Sequence, residues 1–99
     1  MLDHIVLFKL KAGTEKSQVE ELYKNVSGLK DRIEGIVSVS HGENITVEDR
    51  HHDFYHAFVV RFTDAAARNQ YLQHPEHAKV ADTYIFPITE DILVFDLEV

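Results

Sequence analysis

The chain predicts an α+β fold in which a four-stranded antiparallel sheet carries helices on one face, in the order β-α-β-β-α-β. Three observations carry that prediction. Four short segments are rich in β-branched and aromatic residues, the types that fit a pleated surface. The segment between the first two repeats its apolar residues at helical spacing. A second helical stretch, broken at Pro75, precedes the last of the four. With 99 residues, the chain reads as one domain over 1–99, without internal repeats or low-complexity stretches.

The first strand is expected over Leu2–Lys11, where Ile5, Val6, Leu7, Phe8 and Leu10 gather, and Ala12-Gly13-Thr14 ends it. In the helix that follows, Val19, Leu22, Tyr23, Val26, Leu29 and Ile33 fall on one stripe. Thr14, or Ser17 with Glu20 three residues on, is the candidate cap, and Gly35 is expected to close the helix after Glu34. A more polar strand spans Ile36–Asn44, with Val37 and Val39 on one side. Ile45–Asp53 is a charged connection without a period. Phe54–Phe62 (FYHAFVVRF) is the third strand. Thr63 or Asp64 then starts a helix through Ala65, Ala66 and Ala67. Pro75 favours a first helical position, so a fresh short helix is expected over Glu76–Asp82. Ile92–Leu97 completes the set. This order is the ferredoxin-like motif.

The strand patterns add a sharper expectation. His4, Val6, Phe8 and Leu10 share one face of the first strand, with Ile5 and Leu7 on the other. The third strand sets Phe54, His56, Phe58, Val60 and Phe62 against Tyr55, Ala57 and Val59. The fourth sets Ile92 and Val94 against Leu93, Phe95 and Leu97. A sheet wetted on one side alternates apolar with polar residues, and these strands do not. Two helical segments cover one face, so the other calls for a second copy of the chain, packed sheet to sheet as a homodimer.

Ten Lys and Arg against seventeen Asp and Glu give a net charge of −7, which argues against nucleic acid or an anionic membrane as partner. No cysteine is present, so thiolate metal sites, disulfides and cysteine nucleophiles are excluded. The opening MLDHIVLFKLK lacks the pattern of a signal peptide, and no apolar run is long enough to span a membrane. A cytoplasmic protein is the expectation. Seven histidines in so short a chain stand out.

Four pieces of the chain resemble the stress-responsive dimeric α/β-barrel (Dabb) family: HIVLFKLK at 4–11, FYHAFVVRF at 54–62, YLQHPEHAKV at 71–80 and ILVFD at 92–96. GENIT at 42–46 is similar to the G-x-N-x-S/T piece that follows the family's second strand. The resemblance implies a ferredoxin-like protomer whose sheets pair into a dimeric barrel. Its plant member olivetolic acid cyclase closes a linear polyketide by aldol condensation without a cofactor, using a Tyr and a His of the Y-x-x-H-P-x-H segment. Tyr71 and His77 occupy those positions here; His4 and His56 match two further pocket histidines, and His74 the first His of the segment.

From the residues themselves, His77 is a candidate general base and Tyr71 a candidate acid, because an imidazole titrates near neutral pH and a phenol can protonate an enolate. A first-turn position is expected to lower the basicity of His77 through the helix dipole. His4, His56, His74, Phe8 and Phe58 are expected to line a pocket for a small apolar or aromatic molecule. No cofactor is expected. The competing reading is that a histidine in an apolar strand is a hydrogen-bonded core residue, and that His74 before Pro75 caps a helix. A metal site at His74-Pro75-Glu76-His77, or at His51-His52 with Asp53, lacks ligand spacing. His41, His51 and His52 read as surface. Asp3, Glu90, Asp91 and Asp96 read as solubilising charges at strand ends, Asp96 with a possible partner across the sheet. Three functions stand open: a ligand-binding homodimer, a cofactor-independent cyclase, aldolase or isomerase, and an oligomerising stress protein without pocket chemistry.

Overall fold

The computed structural model describes residues 1–99. Strand β1 (Leu2–Leu10) is followed by helix α1 (Lys16–Gly28) and a 3-10 turn at Leu29–Asp31. Strands β2 (Ile36–Glu43) and β3 (His56–Phe62) come next. Helix α2 (Ala65–Gln73), helix α3 (Pro75–Val80), a wide helical turn at Ala81–Ile85 and strand β4 (Thr89–Glu98) complete the chain. The sheet order is β2-β3-β1-β4, and all pairs are antiparallel. The fold is therefore the ferredoxin-like α+β arrangement, with β2 and β4 as edges.

Several boundaries differ from the sequence reading, each for a local reason. Helix α1 starts on Glu15, whose N–H donates to Gln18 Oε1 at 2.8 Å, so neither Thr14 nor Ser17 is the cap. It gives way to the 3-10 turn after Gly28, although Leu29 and Ile33 remain buried on its stripe. Gly35 is the turn into β2, not the helix stop. β2 ends one residue earlier than expected, and a bulge at Val37 puts Ile36 and Val39 on the covered face. β3 begins at His56 because His52 and Asp53 take positive φ (50° and 64°) and Phe54 N–H closes a turn on the His51 carbonyl. α3 starts on Pro75 and ends at Val80, where the backbone widens. β4 extends to Thr89 and Glu98, because pairing with β1 carries its polar ends.

Register assigns the faces. One face holds Leu2, His4, Val6 and Phe8 of β1, Phe58, Val60 and Phe62 of β3, and Ile92, Val94 and Asp96 of β4. Against it pack Leu22, Val26 and Leu29, all at 1 % exposure or less, with Tyr71 and Val80. Each such aliphatic side chain contributes about 1.5–3 kcal/mol on burial. The opposite face carries no helix. Its rows read Val59–Ile5–Phe95 and Ala57–Leu7–Leu93, followed by Arg61–Asp3–Leu97. Leu93, Phe95 and Leu97 are 45 %, 57 % and 46 % exposed. Asp3 is more than a solubilising charge: Arg61 donates to both of its oxygens, at 2.7 and 2.9 Å, and closes the apolar stripe at one end.

Gly35 (φ +91°) lies under α2, where a Cβ would come 2.5 Å from the Ala67 Cβ. Gly35→Ala therefore combines backbone strain with a contact against a buried side chain. It is expected to lower stability by about 2 kcal/mol or more, read as a fall in the midpoint of chemical denaturation.

Candidate functional site

The histidines divide according to the register of β1. His4 stands opposite Asp96 on β4 and Val60 on β3, whereas His56 stands opposite Phe8. Four residues along a strand is about 13 Å, so His4 and His56 do not meet across the β1–β3 pair. His56 stacks on Phe8 with ring centroids 5.5 Å apart, and its Nδ1 is 3.2 Å from the Tyr23 hydroxyl. That hydroxyl also lies 3.2 Å from the Gly42 carbonyl, and burial pushes the phenol up to about 12. His41 is exposed yet stacks on Tyr23, with ring centroids 4.2 Å apart. His51 is not free surface either, since its Nδ1 accepts the Asp53 N–H at 3.0 Å.

At the other end of the covered face, His4, Tyr71 and His77 come together. They line a cavity of about 290 Å³ with Phe58, Val94 and Asp96, among others, and Phe86 stands at its rim, 55 % exposed. Tyr71 projects from α2 onto Phe62 (5.0 Å between centroids) and lies between the two imidazoles, 4.3 Å from His77 and 5.9 Å from His4. His77 reaches this place because Pro75 ends α2 and starts α3. His74 makes that corner: its Nδ1 accepts the Glu76 N–H at 3.0 Å as the cap of α3. Of the residues expected in one pocket, the structure thus joins His4, Phe58, Tyr71 and His77. Phe8 and His56 line a separate opening of about 320 Å³ at the far end, with Lys9, Asp53, Tyr55 and Glu90. His74 serves the helix start instead of lining the cavity.

The electrostatics follow from burial and neighbours. His4 is 6 % exposed, and its Nδ1 lies 2.6 Å from Asp96 Oδ1. The other Asp96 oxygen accepts Arg68 Nη1–H at 2.8 Å. Burial acts to raise the Asp96 carboxyl, but the hydrogen bonds from His4 and Arg68 outweigh it and hold the group below its ordinary range. An ionised Asp96 accepts, so His4 Nδ1 is the donor of that bond. Burial lowers the basicity of His77, the nearby His4 and His74 add to the effect, and the Leu72 carbonyl and Asp82 oppose it. Desolvation, more than the helix dipole, is thus the main cause. Burial also drives the Tyr71 phenol well above its usual range, so it stays protonated. The site therefore presents a phenol donor beside a neutral imidazole and a His–Asp pair. Neither the Tyr71 hydroxyl nor His4 Nε2 bonds to the protein and neither is sealed off, and both residues line the cavity.

Sequence reasoning missed Arg68, and it placed Asp96 only as a strand-end charge with a partner across the sheet; that partner is His4, and the place in the cavity was not foreseen. Asp96 ends an apolar alternation on the covered face of β4 (Ile92, Val94, Asp96), which is the signal of an inward carboxylate. Arg68 precedes Tyr71 by three residues on α2, and so shares its side of the helix.

Comparison with known proteins places this geometry. Residues 2–99 match the stress responsive A/B barrel domain family. The chain is 28 % identical over 93 residues to the stress-response A/B barrel domain-containing protein HS1 of Arabidopsis thaliana, covering 94 % of this chain and 84 % of that protein. A dimeric ferredoxin-like protein from Jannaschia superposes with a TM-score of 0.85 at 28 % identity, covering 99 % of this chain and 98 % of its own. The hydroxynitrile lyase of Passiflora edulis superposes at 0.89 with 23 % identity, covering 99 % and 92 %, a likeness of fold.

The direction for His77 fixes a pH dependence. A histidine whose basicity is lowered by folding binds its proton more tightly in the unfolded chain. Its contribution is therefore complete above the ordinary value of 6.5 and is lost as pH falls below it. Denaturation midpoints should drop between pH 7.5 and 5.5, and the drop should be smaller in His77→Gln.

Proposed function

The chain belongs to the stress-responsive A/B barrel family, and we propose that it binds a small apolar or aromatic carbonyl compound in the His4–Tyr71–His77 cavity and transfers protons there with its own side chains. One observation carries the reading: a protonated phenol lies 4.3 and 5.9 Å, between ring centroids, from two imidazoles in a cavity whose lining, Asp96 apart, is otherwise apolar. His77, neutral and partly desolvated, takes a proton from the carbon next to the carbonyl. The electron pair moves onto the carbonyl oxygen, and Tyr71 donates to that oxygen as charge develops. The enolate so formed closes a C–C bond onto a second carbonyl of the same molecule, whose oxygen takes the proton held on His77, or that proton returns to a different carbon. These are the steps of an aldol-type cyclase and of an isomerase. His4, oriented by Asp96, is the second base within reach. The hydroxynitrile lyase of similar shape is a likeness of fold.

The same reading includes a homodimer through the open sheet face. Its support is the stripe of Ile5, Leu7, Leu93 and Phe95, which no helix covers, and the dimeric solved relatives. A purely structural oligomer would need the stripe but not the cavity, and the polar groups converging on the cavity favour the chemical reading.

Two measurements test the two halves. His77→Ala and Tyr71→Phe should each lower turnover of a β-polyketone or comparable aromatic ketone about 100-fold or more while the fold is kept; equal turnover in both variants rejects the assignment. In sedimentation at micromolar concentration the parent chain should run as a dimer and Phe95→Glu as a monomer. A monomeric parent rejects the sheet-face dimer.

A further inference from the structure

Arg68 crosses from α2 to the edge strand and ends on a carboxylate that is already shared with the site. Its Nη1 donates to Asp96 Oδ2 at 2.8 Å, and its Nε donates to Asn69 Oδ1 at 3.1 Å, which holds the guanidinium in place. Asp96 Oδ1 faces His4 Nδ1 at 2.6 Å. The side chains of Arg68, Asp96 and His4 are 24 %, 26 % and 7 % exposed. This is unlike the loose pair between Arg32 and Glu76, which lie 3.8 Å apart with 48 % and 38 % of their surface in water.

We propose that Arg68 is a positioning residue of the proton-transfer site: by holding the outer oxygen of Asp96 it keeps His4 a neutral imidazole that donates from Nδ1 and offers its free Nε2 to the cavity. The inference rests on the proton-transfer reading of that cavity.

Charge counting gives the reason. Asp96 with a neutral His4 carries one negative charge in a partly buried place, and such a charge draws a proton onto the imidazole. A protonated His4 has no lone pair for the cavity. The guanidinium, charged at every working pH, cancels that negative charge from the far side of the carboxylate. A further proton on the pair would then leave a net positive charge close to Arg68 and His77. The groups that face His4 are few: Asp96 on β4, Arg68 and Tyr71 on α2, and His77 on α3. From β3 it meets the ring of Phe62, at 6.3 Å, and Val60, its register partner. Arg68 is the only permanent cation in this set. Its geometry also fixes the carboxylate. With one oxygen committed to Arg68, Asp96 presents the other to Nδ1, which sets the tautomer of His4.

Nitrogen-15 NMR of the histidine side chains tests this in the ligand-free protein. Compared with the parent, Arg68→Gln should bind the proton of the His4–Asp96 pair about tenfold more tightly, a midpoint about one pH unit higher. It should also lose the fixed Nδ1–H form of His4. Arg68→Lys, which keeps the charge, should return the midpoint to within about threefold. A folded Arg68→Gln with the parent's midpoint and tautomer overturns the proposal. Should that variant not fold, the parent chain decides: the Arg68 Nε–H resonance must move with the midpoint of the His4–Asp96 pair, and a resonance that stays still through it overturns the proposal equally. The readout needs no substrate, so failure of the proton-transfer reading appears separately, as unchanged turnover in the His77 and Tyr71 variants.

Discussion

A slip of one residue between β1 and β4 would turn Asp96 to the open face and Phe95 to the covered one. His4 would lose its partner, and a phenyl ring would stand where the carboxylate now accepts Arg68. The antiparallel register Leu2↔Glu98 to Lys9↔Asp91 is thus the constraint on which the site depends. That register is fixed from both sides of the strand. Val6 and Phe8 pair with Val94 and Ile92 under the helices, while Ile5 and Leu7 pair with Phe95 and Leu93 on the opposite face. The hydrophobic pattern that fixes the register also fixes the polar pair, because period two carries both.

Burying polar groups this close to the core has a cost that the site only partly offsets. His4 has one hydrogen bond of high quality, to a charged acceptor, and this is among the stronger kinds. Tyr71 is 1 % exposed and its ring is packed on Phe62, yet its hydroxyl has no protein partner. A phenylalanine would pack on Phe62 as well, and the fold makes no use of the hydroxyl. The hydroxyl makes physical sense as a donor to something that enters the cavity. The contrast with Tyr23 sharpens the point, since its hydroxyl is within hydrogen-bond distance of Gly42 and His56 and so belongs to the structure.

Much of this was legible in the sequence, and the parts that were not have physical causes. Strand alternation revealed the two apolar faces, and the Pro75 break revealed the split helix. The Y-L-x-H-P-x-H segment carried Tyr71 and His77 to the same place, since a corner between α2 and α3 turns His77 back onto Tyr71. Strand adjacency also followed from the order, but distance along the strands did not. His4 and His56 share a face in sequence, and only the register separates them by four residues of β1. His74 illustrates a second limit: the same side chain suits a pocket or a helix cap, and backbone geometry at residues 74–76 decided for the cap. Arg68 was invisible because its role depends on the reach of its side chain from α2, which packs on β1 and β3, to the edge strand β4.

Strand β4 ties the cavity to the open face. Ile92, Val94 and Asp96 look into the cavity, and Leu93, Phe95 and Leu97, alternating with them, look out across the bare sheet. As an edge strand it has β1 as its only hydrogen-bonded neighbour, and Val94 and Phe95 are exposed at 54 % and 57 % on its two sides. An unpartnered edge is the least restrained place in a sheet. The position of Asp96, and with it the orientation of His4, therefore rests on a strand whose outer face is uncovered in the single chain. In the proposed dimer, contacts on Leu93, Phe95 and Leu97 press on the backbone that carries Asp96. Self-association and the geometry of the proton-transfer site are then coupled through alternate residues of one strand.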